Sequence, residues 1–203
     1  MKGKLISKEQ QKVILIVSLA YILPVLVIYL GLVPFSWRFY ILILAAIAIF
    51  NIARLYRFSA LELGFTKKYL VTSLFAIALP TLASALLMFI YYIMQGARID
   101  NSAYKWTFYL FFVGVSSPVQ EFLYRGFLFG IFSRAKLAIW VQILLSTLLY
   151  SFVHLIYRDV PTLLSTFILG MFWGCHYAKY RNLYSIIISH SLLGAIAILV
   201  GLV

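Results

Sequence analysis

Charged residues and cysteine are scarce in this sequence. Only 11% of its 203 residues are charged, five of them acidic, and Cys175 is the single cysteine. One cysteine excludes an intrachain disulfide. A hydrophobic fraction of 65% and a mean hydropathy of +1.03 leave too few polar side chains to cover a soluble protein of this length. The sequence therefore indicates a membrane protein and excludes a sizeable soluble domain.

Long apolar runs predict an all-α bundle of about seven transmembrane helices. A helix of roughly 18–25 apolar residues spans the ~30 Å hydrocarbon core of a bilayer. We predict spans at about 13–32, 39–53, 69–94, 106–132, 137–157, 160–178 and 183–203. The fourth run contains Pro118, so it is either one long helix or two pieces broken before that proline. Residues 1–203 are predicted to form a single membrane domain.

The basic residues exclude one class of partner. The formal net charge is +12, yet Lys and Arg form short clusters between the apolar runs. A nucleic-acid-binding protein instead gathers its basic residues on one solvated face. We therefore predict membrane lipids, and no nucleic acid, as partners.

The same residues predict the orientation of the chain. If the N-terminus is cytoplasmic and the spans alternate, four basic residues lie outside: Arg38, Arg98, Lys105 and Arg158. Twelve then lie in the cytoplasm: Lys2, Lys4, Lys8, Lys12, Arg54, Arg57, Lys67, Lys68, Arg134, Lys136, Lys179 and Arg181. This bias follows the positive-inside rule. With no organelle signal in the sequence, it predicts a multi-pass protein of a bacterial plasma membrane with a cytoplasmic N-terminus.

Ionisable residues inside apolar spans mark functional sites or buried pairs. Glu121 and Arg125 are four residues apart on the fourth span, so a buried salt bridge explains the pair on its own. His154 and His190, on the fifth and seventh spans, would each alone be a hydrogen-bonded core histidine. Together, a carboxylate and two histidines on three helices can bind a metal or activate a water. His176 lies near basic residues at a span end and is predicted to be interfacial.

Spacing along the chain predicts that Glu121 and His154 lie at similar depth. Glu121 lies about 15 residues before the basic turn at 134–136, and His154 lies about 18 residues after it. These distances match in an antiparallel hairpin of helices that rise 1.5 Å per residue. His190 lies only about nine residues past Arg181 and is predicted to be nearer the cytoplasmic face.

Three short motifs resemble signatures of the CAAX protease and bacteriocin-processing family of intramembrane proteases. Residues 118–126, PVQEFLYRG, are similar to the family's Glu-Glu-x-x-x-Arg-Gly signature. Residues 150–154, YSFVH, match its aromatic-x-x-x-His signature, and residues 190–194, HSLLG, resemble its His-x-x-x-Asn signature. Gly170 and Gly174 form a small-x-x-x-small pair where the family often has one, which is also typical of a close contact between helices.

The resemblance covers residues 116–203 and implies an intramembrane endopeptidase that cleaves a membrane-associated or lipidated peptide. In that family a carboxylate and the first histidine activate a water, and the second histidine and the asparagine stabilise the oxyanion. Carried over, Glu121 and His154 would activate the water, His190 would donate to the oxyanion, and Arg125 would keep Glu121 charged. Zinc held by Glu121, His154 and His190 fits the resemblance, as does metal-free chemistry.

Two positions depart from the family pattern and keep other functions open. The leading glutamate is Gln120, which can hold a water but cannot accept its proton, and the closing asparagine is Gly194. A catalytically inactive relative that acts as a membrane scaffold or binds a peptide is therefore an alternative. So are a rhomboid-like serine protease, with a nucleophile at Ser116 or Ser117 and His190 as base, and a proton-coupled transporter.

Overall fold

Seven helices follow one another in the computed structural model, which describes residues 7–203. They are α1 (Lys8–Tyr29), α2 (Phe35–Leu55), α3 (Leu70–Gln95), α4 (106–134), α5 (Ile139–Tyr157), α6 (Val160–Tyr180) and α7 (Leu183–Leu199). Of these described helices, α1, α2, α3 and α5 are long and apolar enough to cross a membrane, and α7 is a shorter apolar helix. The all-α membrane bundle is confirmed, whereas the crossing of the membrane by all seven helices stays a prediction.

Side chains that accept hydrogen bonds from the backbone fix where several helices begin. Ser7 and Gln10 form a reciprocal capping box at the start of α1. Asp159 accepts from a backbone N–H in the first turn of α6, at 2.9 Å, and Asn182 does the same for α7, at 3.3 Å. These caps set the register of the two helices that carry Trp173 and His190.

Helix α4 continues without a break through Pro118. The helix widens into two π-helical segments, Phe112–Ser116 and Phe122–Phe127. In the first segment the Ser117 N–H bonds the Phe112 carbonyl, five residues back. The wide turn accommodates a proline that has no N–H to offer. Of the two alternatives for this run, the single long helix is confirmed.

Helix α4 is also the centre of the bundle. Every residue from 121 to 132 is buried, and Phe127, Leu128 and Phe129 have no exposed surface. By contrast, α3 turns large apolar side chains outward, such as Phe75 at 77% exposure and Leu79 at 76%. Apolar side chains on the outside suit contact with lipid tails, and the ionisable residues of α4 are shielded from that contact by the other helices.

The connections after α2, α4 and α6 meet at one end of the bundle. Arg134 donates to the Tyr56 carbonyl oxygen at 2.6 Å, and Asn182 donates to the Thr66 carbonyl oxygen at 2.7 Å. Ten basic residues lie here, at what we call the basic end: Lys8, Lys12, Arg54, Arg57, Lys67, Lys68, Arg134, Lys136, Lys179 and Arg181. Lys2 and Lys4, predicted for the same side, lie outside the described residues.

The other connections and the segment after α7 meet at the opposite end, which we call the mouth end. Arg98 forms a two-pronged ion pair with Asp159, at 2.7 and 2.8 Å, and donates to the Leu202 carbonyl oxygen at 2.6 Å. The hydrogen bonds from Arg98 hold the pKa of Asp159 below its ordinary value. Arg158 donates to the Tyr29 carbonyl oxygen at 2.7 Å. The four basic residues predicted for the outer side all lie here, so the structure separates the two predicted sets.

Helices α5 and α6 pack closely at the predicted glycine pair. A Cβ on Gly170 would lie 3.1 Å from Thr147 Cγ2 and 3.2 Å from Tyr150 Cδ1. A Cβ on Gly174 would lie 3.2 Å from Ile143 Cγ2. These distances leave no room for larger side chains, so the predicted close contact between helices is confirmed.

Gly170→Val is therefore expected to lower the free energy of unfolding by about 1–3 kcal/mol through overpacking. Gly114→Val is the matched control, because a Cβ there meets no other atom within 4 Å. Both variants exchange a helical glycine for the same residue, so their difference reports packing at the α5–α6 contact. Unfolding in mild detergent measures it, and equal losses in the two variants would contradict the close contact.

Candidate active site

A cavity of about 910 Å³ extends from the mouth end into the middle of the bundle. Arg38 and Tyr104 line its outer part, and Gln120, His154 and His190 line its inner part. Most of the other lining side chains are apolar or aromatic. A concave, mainly apolar site with a few polar groups is typical of a binding site for a small or extended ligand.

Glu121 lies beside the cavity and is fully buried. Its Oε1 atom accepts from Arg125 Nη1 at 3.0 Å and from His190 Nδ1 at 2.6 Å. Its Oε2 atom has no hydrogen-bond partner among residues 7–203. The predicted ion pair with Arg125 is confirmed, and the same carboxylate also joins α4 to α7.

Arg125 joins the network to two further helices. Its Nη2 atom donates to the Gly170 carbonyl oxygen of α6 at 3.2 Å. Its guanidinium carbon lies 4.4 Å from the ring centroid of Tyr150, on α5, and the side chain has no exposed surface. A fully buried guanidinium needs such partners, because an uncompensated charge in the interior costs several kcal/mol.

His190 is held from three sides. Glu121 bonds its Nδ1 atom, and the Tyr150 hydroxyl lies 3.3 Å from its Nε2 atom. The imidazole stacks on Trp173, with ring centroids 4.5 Å apart, and Trp173 donates to the Ser189 hydroxyl at 3.0 Å. These contacts fix the plane of the imidazole at the wall of the cavity.

His154 begins a short 3-10 segment, His154–Tyr157, at the end of α5. Its Nδ1 atom lies 2.8 Å from the Tyr150 carbonyl oxygen. A carbonyl only accepts, so Nδ1 carries the proton and Nε2 carries the lone pair of the neutral ring. Within the described part of the chain, Nε2 has no protein partner, so it is available as a base.

Gln120 and Glu121 point in different directions. Successive residues of a helix are about 100° apart, and here the amide lines the cavity whereas the carboxylate does not. Gln120 Nε2 donates to the Ser116 hydroxyl at 3.0 Å. The leading position of the predicted signature therefore faces the cavity, as an amide and not as a carboxylate.

Comparison with known proteins supports the predicted resemblance. Residues 101–196 match the family described as Type II CAAX prenyl endopeptidase Rce1-like. The match covers a little under half of the chain and contains all the predicted site residues. Comparisons with curated proteins and with solved structures gave no match.

The glycine at position 194, the second departure from the family pattern, is explained by packing. A Cβ on Gly194 would overlap the ring of Phe112. That ring also packs edge-on against His190, with centroids 6.0 Å apart. Phe112 therefore fills the space that an asparagine side chain at position 194 would require.

The predicted zinc ligands Glu121, His154 and His190 are not arranged as a metal centre. Among residues 7–203, no three His, Cys, Asp or Glu side chains are grouped so that they could hold a metal ion. The facing atoms of Glu121 and His190 bond each other, and His154 Nδ1 bonds a carbonyl. The side chains in this arrangement do not fit a zinc ion, and no step below depends on one.

The structure also places two other predicted features. His176, predicted to be interfacial, lies about one turn from the basic end of α6, but its side chain is buried and its Nε2 atom lies 2.8 Å from the Ser73 hydroxyl, so its place at the membrane interface stays a prediction. The two serines of the rhomboid-like alternative form hydrogen bonds with other residues than the predicted base. The Ser116 hydroxyl accepts from Gln120, and the Ser117 hydroxyl accepts from Ser191. Across the described residues, neither serine bonds His190.

Two aromatic residues of the site carried only weak sequence signals. Tyr150 contacts Arg125 and both cavity histidines, and its position four residues before His154 places it on the same helix face. Trp173 lies three residues after Gly170 and therefore shares the face of α6 that meets Arg125. Aromatic residues are so common here, with 15 Tyr, 17 Phe and 4 Trp, that composition could not single out these two.

Proposed function

We propose that this protein is an intramembrane endopeptidase that hydrolyses a peptide bond in a membrane-associated or lipidated peptide. The observation that carries this proposal is the presence of Gln120, His154 and His190 in the wall of one cavity. A neighbouring group bonds the polar end of each of these three side chains, so the side chains are held in place before a substrate binds. The family match supports peptide hydrolysis as the reaction class.

His154 is the proposed general base. Its Nε2 atom takes a proton from a water, and the water oxygen bonds the carbonyl carbon of the peptide. The electron pair of the carbonyl double bond moves to its oxygen. When this intermediate collapses, the C–N bond breaks and the same nitrogen returns the proton to the leaving amine. Gln120 holds the water by hydrogen bonds without accepting its proton.

His190 is the proposed donor to the oxyanion. Glu121 Oε1, 2.6 Å from Nδ1, and the stacked Trp173 ring hold the imidazole so that Nε2, when it carries a proton, can donate toward the cavity. Such a donor is typically worth a few kcal/mol of transition-state stabilisation. Arg125 holds the Glu121 carboxylate in place in turn, with Nη1 3.0 Å from Oε1. In this proposal Glu121 and Arg125 position His190 and do not touch the substrate.

A second candidate function is peptide binding without hydrolysis. The observation that favours it is the cavity-facing amide of Gln120, since Glu121, the carboxylate that bonds His190, does not line the cavity. The network of Glu121, Arg125 and His190 would then serve the stability of the bundle alone. Substitution of His154 separates the two candidates.

His154→Ala is expected to lower the rate of cleavage by about 10²–10⁴-fold, the usual contribution of a general base. Newly formed termini of membrane proteins and secreted peptides are compared in cells that contain equal amounts of wild type, His154→Ala or His176→Gln. The last variant is the matched control, because His176 does not line the cavity. We expect termini that depend on the wild type and persist with His176→Gln. Identical termini with wild type and folded His154→Ala would rule out catalysis by His154.

A further inference from the structure

The cavity reaches the mouth end of the bundle and not the basic end. Its lining includes connecting residues of that end, such as Arg98, Asp100 and Asp159. It includes no residue of the connections 56–69, 135–138 or 181–182, all of which the structure describes. Of the two ends of the bundle, only the mouth end therefore gives access to the cavity.

The basic end is closed by packing. Phe127 and Leu128, between Glu121 and this end of α4, have no exposed surface. The connection after α2 folds inward, where the Gly64 carbonyl oxygen accepts from the Leu183 N–H at 3.0 Å. Leu63, beside it, is 7% exposed. These contacts leave no path from the basic end to the histidines.

The two ends differ in the number of basic side chains. Ten lie at the basic end and four at the mouth end, within the described residues. One of the four, Arg98, is fully engaged by Asp159. Lys and Arg in short connections favour the cytoplasmic side of a membrane. The bias therefore assigns the basic end to the cytoplasm and the mouth end to the opposite side.

We infer that the site is reached from the non-cytoplasmic side of the membrane. On this inference, which rests on the proposed function, the substrate is an apolar peptide segment of a membrane or secreted protein that is presented at the outer face. The C-terminus of a cytosolic protein cannot reach the histidines, because the closed basic end lies between them and the cytoplasm.

The depth of the cavity indicates how many residues of the substrate segment must enter it. Helix α6 begins at the mouth end, and Trp173, which stacks on His190, lies 13 residues after its first residue. At 1.5 Å per residue, His190 therefore lies about 20 Å from the mouth end. An extended chain covers ~3.3 Å per residue, so about six residues are needed to bring a peptide bond to the histidines. The aromatic walls, including Phe39 and Phe108, favour apolar side chains in these residues.

Thiol labelling tests the inference without knowledge of the substrate. In a Cys175→Ser background, single cysteines are placed at three positions: Ala103→Cys at the mouth end, Ala60→Cys at the basic end, and Ser165→Cys in the wall of the cavity. Ala103 and Ala60 are both exposed alanines, so they form a matched pair. Ser165 lines the cavity and is half-buried. Intact and permeabilised cells are treated with a small sulfonated thiol reagent that does not cross membranes.

We expect the cysteines at positions 103 and 165 to react in intact cells, and the cysteine at position 60 to react only after permeabilisation. The reverse pattern for positions 60 and 103 would overturn the orientation. A cysteine at position 165 that reacts in intact cells no faster than the one at position 60 would overturn entry from the mouth end. Labelling does not depend on hydrolysis, so failure here is distinguishable from failure of the proposed function.

The substrate class is tested by where cleavage occurs. Termini that depend on the wild type should map to non-cytoplasmic segments, and termini in cytosolic proteins would overturn the inference. A bulky impermeant maleimide at the cysteine of position 165 should abolish these termini in intact cells, whereas the same label at position 103 should leave most of them.

Discussion

Arg125→Met is expected to lower the free energy of unfolding by about 3–5 kcal/mol, the usual cost of removing one partner from a buried ion pair. The guanidinium has no exposed surface, and it bonds both Glu121 and the Gly170 carbonyl oxygen. Its removal leaves the carboxylate with His190 as its remaining partner. Chemical unfolding of the purified protein in mild detergent measures the loss.

The double variant Glu121→Gln/Arg125→Met provides the control. With the guanidinium already absent, neutralising the carboxylate removes a buried charge that has lost its ion-pair partner, and this should restore part of the lost stability. Arg38→Met gives a comparison at a half-buried arginine of the mouth end, where we expect a smaller loss. A loss below about 1 kcal/mol for Arg125→Met would mean that the pair does not hold the four helices together.

Gln120→Glu is expected to raise the rate of peptide hydrolysis by about 10²-fold or more. The substitution puts a carboxylate on the cavity wall beside the histidines, where it can accept the proton of the water that Gln120 can only hold. Cleavage of a peptide library by purified protein in lipid nanodiscs measures the gain.

Gln142→Glu is the matched control for this gain. Gln142 is buried, does not line the cavity, and donates to the Leu137 carbonyl oxygen at 2.8 Å. We expect no faster hydrolysis with this variant. If neither wild type nor Gln120→Glu cleaves a peptide that both of them bind, the domain is a peptide-binding scaffold.

Spacing within single helices predicted local features of the site. The Glu121–Arg125 ion pair follows from four-residue periodicity and appears in the structure. The close contact at Gly170 follows equally from residue size. Such features depend on one or two helices and need no knowledge of the rest of the fold.

The contact between His190 and Glu121 could not be predicted in this way. Counting from Arg181 placed His190 too near the basic end. In the structure α7 begins inside the bundle, because Leu183 packs against Gly126 and bonds the Gly64 carbonyl oxygen. The inward fold of the connection after α2 is a tertiary feature with no periodic signal, and it brings His190 to the level of the carboxylate.

The metal alternative fails for a related reason. The sequence offers one carboxylate and two histidines on three helices, which is a sufficient set of ligands for zinc. The structure directs the carboxylate to Arg125 and His190, and directs His154 Nδ1 to a carbonyl of its own helix. Residue types can predict which atoms are available, but only the packing decides which of them face one another.

Hydrolysis in ¹⁸O-labelled water tests the central claim most directly. Purified wild type and His154→Ala, each in lipid nanodiscs, are incubated with a library of apolar peptides, and the products are read by mass spectrometry. The proposed mechanism predicts products whose new carboxyl groups each contain one ¹⁸O, formed by wild type and at least about 10²-fold more slowly by His154→Ala. Equal rates of ¹⁸O incorporation by folded wild type and His154→Ala, or its absence from both, would contradict the assignment of His154 as the base that activates the water.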